Sequence, residues 1–287
     1  MSNINDIKEQ MGVVASVGDF TNAMQQIATI RMMRLRTKVA DSRLFVETAH
    51  EMLTELTTLR DSLSLEQQMK LERKHAAKDM TGSTKRAVIL ITSNQGLIGR
   101  YNNEIYAKFD KVRAENKDAD IFVIGKKGQE YFAAGAVKNV SYYPYEVPDT
   151  FTAETLQRLV SLFDFYNLVT LIYSHYVNSA TREVVALSVT APTAVAEGDA
   201  KKEARYIFEP DIIDLINGVS KTLRAALFQQ QIMDGRLAQY SAQMLGMKAA
   251  TDNAVGLTAD LRMEYNKLRR KMIDKKISEV FAGSALW

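Results

Sequence analysis

The chain has 287 residues, 46% of them hydrophobic and 25% charged, with a formal net charge of +3 and no cysteine. That length holds one or two domains with a sizeable core, and the missing cysteines exclude disulfides, thiolate metal sites and cysteine nucleophiles, which fits a reducing compartment. A small net charge argues against a general nucleic-acid binder and leaves only local basic patches to consider.

The N-terminus, Met1-Ser2-Asn3-Ile4-Asn5-Asp6, is polar and lacks a hydrophobic signal core. An N-terminal helical arm is predicted from about Ile4 to Leu71. Ile4, Ile7, Met11 and Val14 are spaced as one helix face, and Val17, Phe20, Met24 and Ile27 are expected to continue it in a second register. Gly12 and Gly18 are its weakest helix formers. A second helix could begin near Leu65-Glu66-Gln67.

The middle reads differently. Thr81-Gly82-Ser83-Thr84 is a loop, and the branched run Arg86 to Thr92 is a buried strand. Its Val88-Ile89-Leu90-Ile91 is the longest apolar stretch, far short of the ~20 residues that span a bilayer. The chain is therefore expected to be soluble or peripheral. Ser93 to Gly99 is a turn, and a helix follows from Tyr101 to Asn116. Asp120 to Ile124 is a second strand, and Gly125-Lys126-Lys127-Gly128 reads as a solvated turn before another helix. Further strands fall at Leu168–Ser174 and Glu183–Val189. Strand–helix alternation predicts a mostly parallel, helix-covered sheet.

The four prolines are Pro144, Pro148, Pro192 and Pro210, so both ends are free to form long helices. Glu209-Pro210-Asp211 starts the C-terminal one. From there to Ala285 is roughly 75 residues, or ~110 Å as continuous helix. Gly218, Gly235, Gly246 and Gly256 weaken it, and one of them is expected to mark a bend. Within it, Tyr240, Met244, Met247, Thr251, Ala254, Thr258, Leu261, Tyr265, Leu268 and Met272 recur in steps of four and three. That is the rhythm of a helix laid against a helix, and the N-terminal arm is the natural antiparallel partner. The expected division is residues 1–72, 73–208 and 209–287: arm, central α/β domain, arm.

Chemistry-bearing motifs are sparse. Gly96-Leu97-Ile98-Gly99 follows a strand but fits neither the dinucleotide fingerprint nor the phosphate loop, so it reads as a strand-to-helix turn. His50, His75 and His175 share no metal-ligand spacing. No catalytic residue, metal or cofactor is predicted. Two basic clusters stand out: Arg31, Arg34, Arg36, Lys38 and Arg43, and Lys267, Arg269, Arg270, Lys271, Lys275 and Lys276. They are either solvated helix faces or a collar that meets acidic loops. Met24, Met32, Met33, Met244, Met247, Met263 and Met272 are expected to pack in the helix seam. Residues alone leave three readings: a helical rod inserted into a partner, a nucleotide-dependent enzyme on the α/β domain, or a coiled-coil scaffold that binds nucleic acid through its basic collars.

Three segments carry a resemblance. Thr21-Asn22-Ala23-Met24-Gln25-Gln26-Ile27-Ala28 lies early in the first helix. Thr92-Ser93-Asn94-Gln95-Gly96-Leu97-Ile98-Gly99-Arg100-Tyr101-Asn102 follows the first strand. Ala249-Ala250-Thr251-Asp252-Asn253-Ala254 precedes Tyr265-Asn266 and Arg269, and the chain ends on Ile277 to Leu286. Together they resemble the gamma subunit family of F-type ATP synthases, along the whole chain. Asn22, Asn94, Gln95, Gln239, Gln243, Arg270 and Asp274 depart from the family wording, as in a divergent member from a specialised F-type ATPase.

The resemblance implies a long antiparallel coiled coil of N- and C-terminal helices with a central Rossmann-like α/β domain. It implies a non-catalytic rotor within a hexamer of alpha and beta subunits, three of each per chain. An epsilon subunit and a membrane rotor ring would lie at the α/β domain, on the cytoplasmic side of a bacterial membrane, with no nucleic acid. Rotation would couple ion flow to ATP synthesis. Partner contacts are expected at Met24, Arg31, Arg269, Arg270, Asp274, Ile277, Phe281, Leu286 and Trp287. Gly96, Gly99 and Asn102 would form the structural turn of the α/β domain.

Overall fold

The computed structural model describes residues 4–61, 85–135, 141–147, 154, 161, 166, 168–189 and 211–284. Its elements in order are α1 (Ile4–Asp61), β1 (Arg86–Ile91), α2 (Tyr101–Glu115), β2 (Asp120–Ile124), α3 (Lys126–Ala133), β3 (Tyr142–Tyr145), β4 (Leu168–Tyr176), β5 (Arg182–Val189) and α4 (Ile212–Ser284). The chain divides into two compact units, residues 1–31 with 240–287 and residues 32–239.

The second unit holds one five-stranded sheet in the order β3-β2-β1-β4-β5. β1 pairs in parallel with both β2 and β4, and β2 with β3, while β5 returns antiparallel to β4. The continuous apolar run of β1 suits the central position, because a parallel strand is covered on both faces. Side chains alternate across it. Ala87, Ile89 and Ile91 form one cluster with Phe122, Ile124, Leu171 and Tyr173, and with Phe228 and Ile232 of α4. On α2 and α3, Phe109 and Phe132 meet edge to face at 5.4 Å.

The predicted strands and the mostly parallel sheet are present. β3 was not predicted: it is a four-residue strand, Tyr-Tyr-Pro-Tyr, whose proline fits its place at the sheet edge. Gly125 to Gly128 corrects the expectation of a solvated turn. Both glycines are buried, and α3 begins between them. Gly125 has φ +104°, and a Cβ there would lie 2.4 Å from the Thr92 carbonyl oxygen. At Gly128 a Cβ would lie 2.6 Å from Thr92 Oγ1 and 2.7 Å from Val123 Cγ1. The Gly128 N–H donates to Thr92 Oγ1 at 3.0 Å. Glycine is required because the two loops touch.

Neither long helix is broken by its glycines. α1 passes through Gly12 and Gly18, and α4 passes through Gly218, Gly235, Gly246 and Gly256. In α4, the Leu215 N–H donates to the Asp211 carbonyl at 3.1 Å. In the second unit the end of α1 packs on the start of α4, with Leu56, Leu59 and Ile212 buried together. The predicted loop at 81–84, the helix start near Leu65, Glu209 with Pro210, and His75 lie outside the described residues.

Candidate functional site

In the first unit the predicted C-terminal stripe is the buried seam. Met247, Ala254 and Leu261 are buried, and Tyr240, Met244, Thr251, Thr258, Tyr265 and Leu268 are half-buried. The facing stripe of α1 runs through Ile4, Ile7, Met11, Val14, Gly18, Thr21 and Ala28. This corrects the expected second register. Val17, Phe20 and Ile27 are exposed, and the seam continues through Gly18 and Thr21 instead.

Small residues let the two backbones approach. A Cβ on Gly18 would lie 3.4 Å from the Ala254 Cβ, which is ordinary contact. The Thr21 and Thr251 hydroxyls are 2.8 Å apart. From Gly18 to Thr21 the partners step back from Ala254 to Thr251, so the segments run antiparallel. Thr21 also reaches the Gly18 carbonyl at 3.0 Å, and Thr251 the Met247 carbonyl at 3.0 Å. Each hydroxyl has one hydrogen, so one of these three contacts is always without a donor. The pair marks a register without gripping it strongly.

Continuing that register places Ile4 opposite Leu268. Beyond it, every residue from Arg269 to Ala282 is exposed. Ile273, Ile277 and Val280 recur at i, i+4 and i+7 and share a face, with Phe281 beside them at 70% exposure. Lys267, Arg269, Arg270, Lys271, Lys275 and Lys276 are exposed around that stripe, and Lys275 pairs with Glu279 at 3.7 Å. Among the predicted contact residues, Arg269, Arg270, Asp274, Ile277 and Phe281 therefore lie on one bare segment. Met24 is half-buried, and Arg31 is exposed with its guanidinium 5.8 Å from the Tyr240 ring centroid. Leu286 and Trp287 lie outside the described residues.

A second bare face lies on α1. Val13, Val17, Phe20 and Ile27, at steps of four, three and seven, are each more than two-fifths exposed. Sequence reasoning found the period here but assigned it to the seam. Met33, Met263 and Met272 were also expected to pack and are exposed, whereas Met32 and Met247 are buried.

Of the N-terminal basic cluster, Arg31, Arg34, Arg36 and Lys38 are exposed. Arg43 is half-buried and engaged within the chain. It forms an ion pair with Asp234 at 3.1 Å, and the ring of His175 meets the other oxygen of that carboxylate. His50 is exposed, and no cluster of three metal-ligating side chains occurs among the described residues.

At the carboxyl end of β1, where open α/β sheets hold ligands, the loops close on each other. The Asn102 amide donates to Ser93 Oγ at 2.8 Å, and its oxygen accepts the Ser93 N–H at 3.2 Å. Gly96 is exposed, and the turn is made with φ 62° at Leu97 and 59° at Gly99. The Lys126 N–H donates to Asn94 Oδ1 at 3.2 Å. The Tyr106 hydroxyl donates to the Lys127 carbonyl at 2.9 Å, and its burial, with Tyr131 and Glu130 nearby, pushes it up to about 12. The cavity between Asn94, Gly125, Lys126 and Glu146 has 80 Å³. Small-molecule pockets run to about 300–1,000 Å³.

A family model described as ATP synthase matches residues 3–286. The ATP synthase gamma chain of Psychrobacter sp. (strain PRwf-1) is 29% identical, covering 99% of each chain. That of Halothermothrix orenii is 22% identical, also covering 99% of each. Among solved structures, a chain of the Tetrahymena thermophila mitochondrial ATP synthase central stalk and c-ring superimposes with a TM-score of 0.56. It is 18% identical and covers 80% of this chain and 99% of that one. A chain of the Euglena gracilis mitochondrial ATP synthase gives 0.55 at 14% identity, covering 89% and 94%. Matched over residues 3–286, the chain belongs to the ATP synthase gamma family.

Proposed function

We propose that the bare segment of α4 beyond Arg269 is the part of this rotor that works against the nucleotide-holding subunits. One observation carries the reading: a helix whose seam ends at Leu268 goes on through fourteen exposed residues, Arg269 to Ala282, with an apolar stripe and a dense basic flank. An apolar stripe on an uncovered helix destabilises nothing if a partner covers it. Ile273, Ile277, Val280 and Phe281 sit in an apolar sleeve. Arg269 and Arg270 pair with acidic loops, Asp274 faces the same loops, and Met24 and Arg31 meet them from α1.

In this reading the chain stands once in a ring of three alpha and three beta subunits. Its unequal faces favour a different state in each beta subunit, and a shaft can shift a site only by binding its states unequally. Turning it couples ion flow to ATP synthesis. An epsilon subunit and the membrane rotor ring lie at the α/β body, on the cytoplasmic side of a bacterial membrane. The Tetrahymena and Euglena structures are of assemblies that include a c-ring. In this reading the catalysis belongs to the complex and the chain supplies no catalytic residue of its own.

The test is to purify the complex from its cells by a tag on this chain. Alpha- and beta-type subunits should come with it at three to three to one, and their absence would overturn the reading. Calorimetry on the isolated chain should give no ATP binding, and micromolar affinity would sink the claim that it is non-catalytic.

A further inference from the structure

Asp234 lies within α4 in the second unit, and its side chain is 3% exposed. It takes donors from two other elements. Arg43 Nη2 of α1 donates to Oδ1 at 3.1 Å. From β4, the His175 ring nitrogen Nδ1 and the Tyr176 N–H, at 3.4 Å, both meet Oδ2. The next two residues also hold on by polar contact. The Tyr101 hydroxyl, at the start of α2, donates to the Gly235 carbonyl at 2.9 Å. Arg236 Nη2 donates to the Val147 carbonyl, after β3, at 3.1 Å.

Just before Asp234 the contact is apolar, with Phe228 and Ile232 set on the sheet. Apolar burial is non-directional and lets a helix roll. Charge-assisted hydrogen bonds fix direction as well as distance. Burial holds the Tyr101 and Tyr173 hydroxyls above the usual tyrosine range, and the Asp234 charge adds to both rises. The carboxylate field is therefore felt across the α4–sheet contact.

We propose that Asp234, Gly235 and Arg236 form a polar clasp that fixes the rotation of α4 about its own axis on the sheet, with the Asp234–Arg43 pair as the principal tie. The proposal rests on the rotor reading: a shaft helix that could roll on its body would lose the turn it should transmit. The clasp is positioning machinery, so its loss loosens coupling and leaves nucleotide hydrolysis in place.

The experiment uses the complex assembled with the full chain, comparing wild type with Asp234→Asn, which keeps shape and removes charge. ATP hydrolysis per assembled complex should stay within twofold. ATP synthesis driven by an imposed ion gradient should fall at least fivefold. Ile232→Val, a neighbouring core change that leaves the clasp intact, should not alter the ratio of the two rates. Adding Arg43→Met to Asp234→Asn should bring little further loss, because the tie between the two is already gone. If Asp234→Asn does not assemble, Arg43→Met and Arg236→Met each remove one tie and give the same readout. In the full chain, the Tyr176 amide should exchange at least tenfold faster in Asp234→Asn. A synthesis-to-hydrolysis ratio within twofold of wild type, an equal loss in Ile232→Val, or an unchanged Tyr176 exchange rate overturns the clasp. Failure of the rotor reading shows separately, as a wild-type complex that lacks this chain.

Discussion

In the sheet body Ile89, Leu90, Leu171, Ile172, Phe109 and Phe228 are fully buried, on strands and helices covered on both sides. In the helix pair the seam sets small residues, Gly18, Thr21, Ala28, Thr251 and Ala254, beside larger ones, Ile7, Met247 and Leu261, while large apolar residues such as Val13, Phe20, Val280 and Phe281 stand in solvent. The body spends its branched and aromatic residues on its own core. The pair covers one narrow stripe and leaves other large residues outside it. The small residues of the seam bring the backbones close but bury little apolar area each, so much apolar surface of the pair stays uncovered within this chain. The contrast separates a part that covers its own large apolar residues from a part that leaves many of them bare.

The largest test of that contrast lies in the body. Phe228→Ala empties a fully buried site between α4 and the sheet. It should cost about 3–5 kcal/mol, read as a lower urea midpoint with unchanged slope. A cost below about 1 kcal/mol would mean that the cluster is not the core. The next is Gly128→Ala. The added methyl meets Thr92 Oγ1 and Val123 Cγ1 inside van der Waals distance. Overpacking of this kind costs about 1–3 kcal/mol, against an alanine gain in an ordinary helix. Gly12→Ala sharpens the comparison with the opposite sign. Nothing lies within 4 Å of a Cβ at Gly12, so the exchange should stabilise the isolated chain by about 1 kcal/mol from helix propensity alone. Destabilisation there would show that the α1 surface is already engaged within the chain.

What the sequence disclosed follows the same division. The C-terminal stripe was legible from Tyr240 to Leu268 because period and burial coincide wherever a helix has one partner. Met272 keeps the period and is exposed, since period says which residues share a face and not whether the face is covered. On α1 two apolar stripes compete. The wider residues Val17, Phe20 and Ile27 suggested the seam, but close backbone approach selected Gly18 and Thr21. β1 and β4 were legible as branched runs, whereas β3 is short, carries Pro144 and forms because β2 offers it an edge. Arg43 looked like one more surface cation, because nothing local signals that a carboxylate 191 positions away is buried beside it. Gly128 looked like a turn glycine for the same reason: its constraint comes from Thr92, just after β1 and 36 positions earlier in the chain.

The smallest expected effect on stability carries the most information about function. Arg269 and Arg270 are both exposed on the bare segment of α4. Reversing both, as Arg269→Glu with Arg270→Glu, removes no buried group and breaks no helix hydrogen bond. In the isolated chain the change should stay within about 0.5 kcal/mol, as for ordinary surface substitutions. Inside the complex the same two charges would face acidic loops with little water between, where like charges repel and each lost pair costs far more than on a free surface. Rotation under load should then weaken and ATP hydrolysis should slow, with the deficit growing at low salt because surface attraction and repulsion are screened over about 8 Å at physiological ionic strength. Unchanged torque and hydrolysis at every salt concentration would leave the basic flank as a solvated face and place the working contact on the apolar stripe of Ile273, Ile277 and Val280 alone. A loss of stability in the free chain would instead show that the segment is already packed, and the division between a self-sufficient body and an enclosed helix pair would fail at the place where it is drawn most sharply.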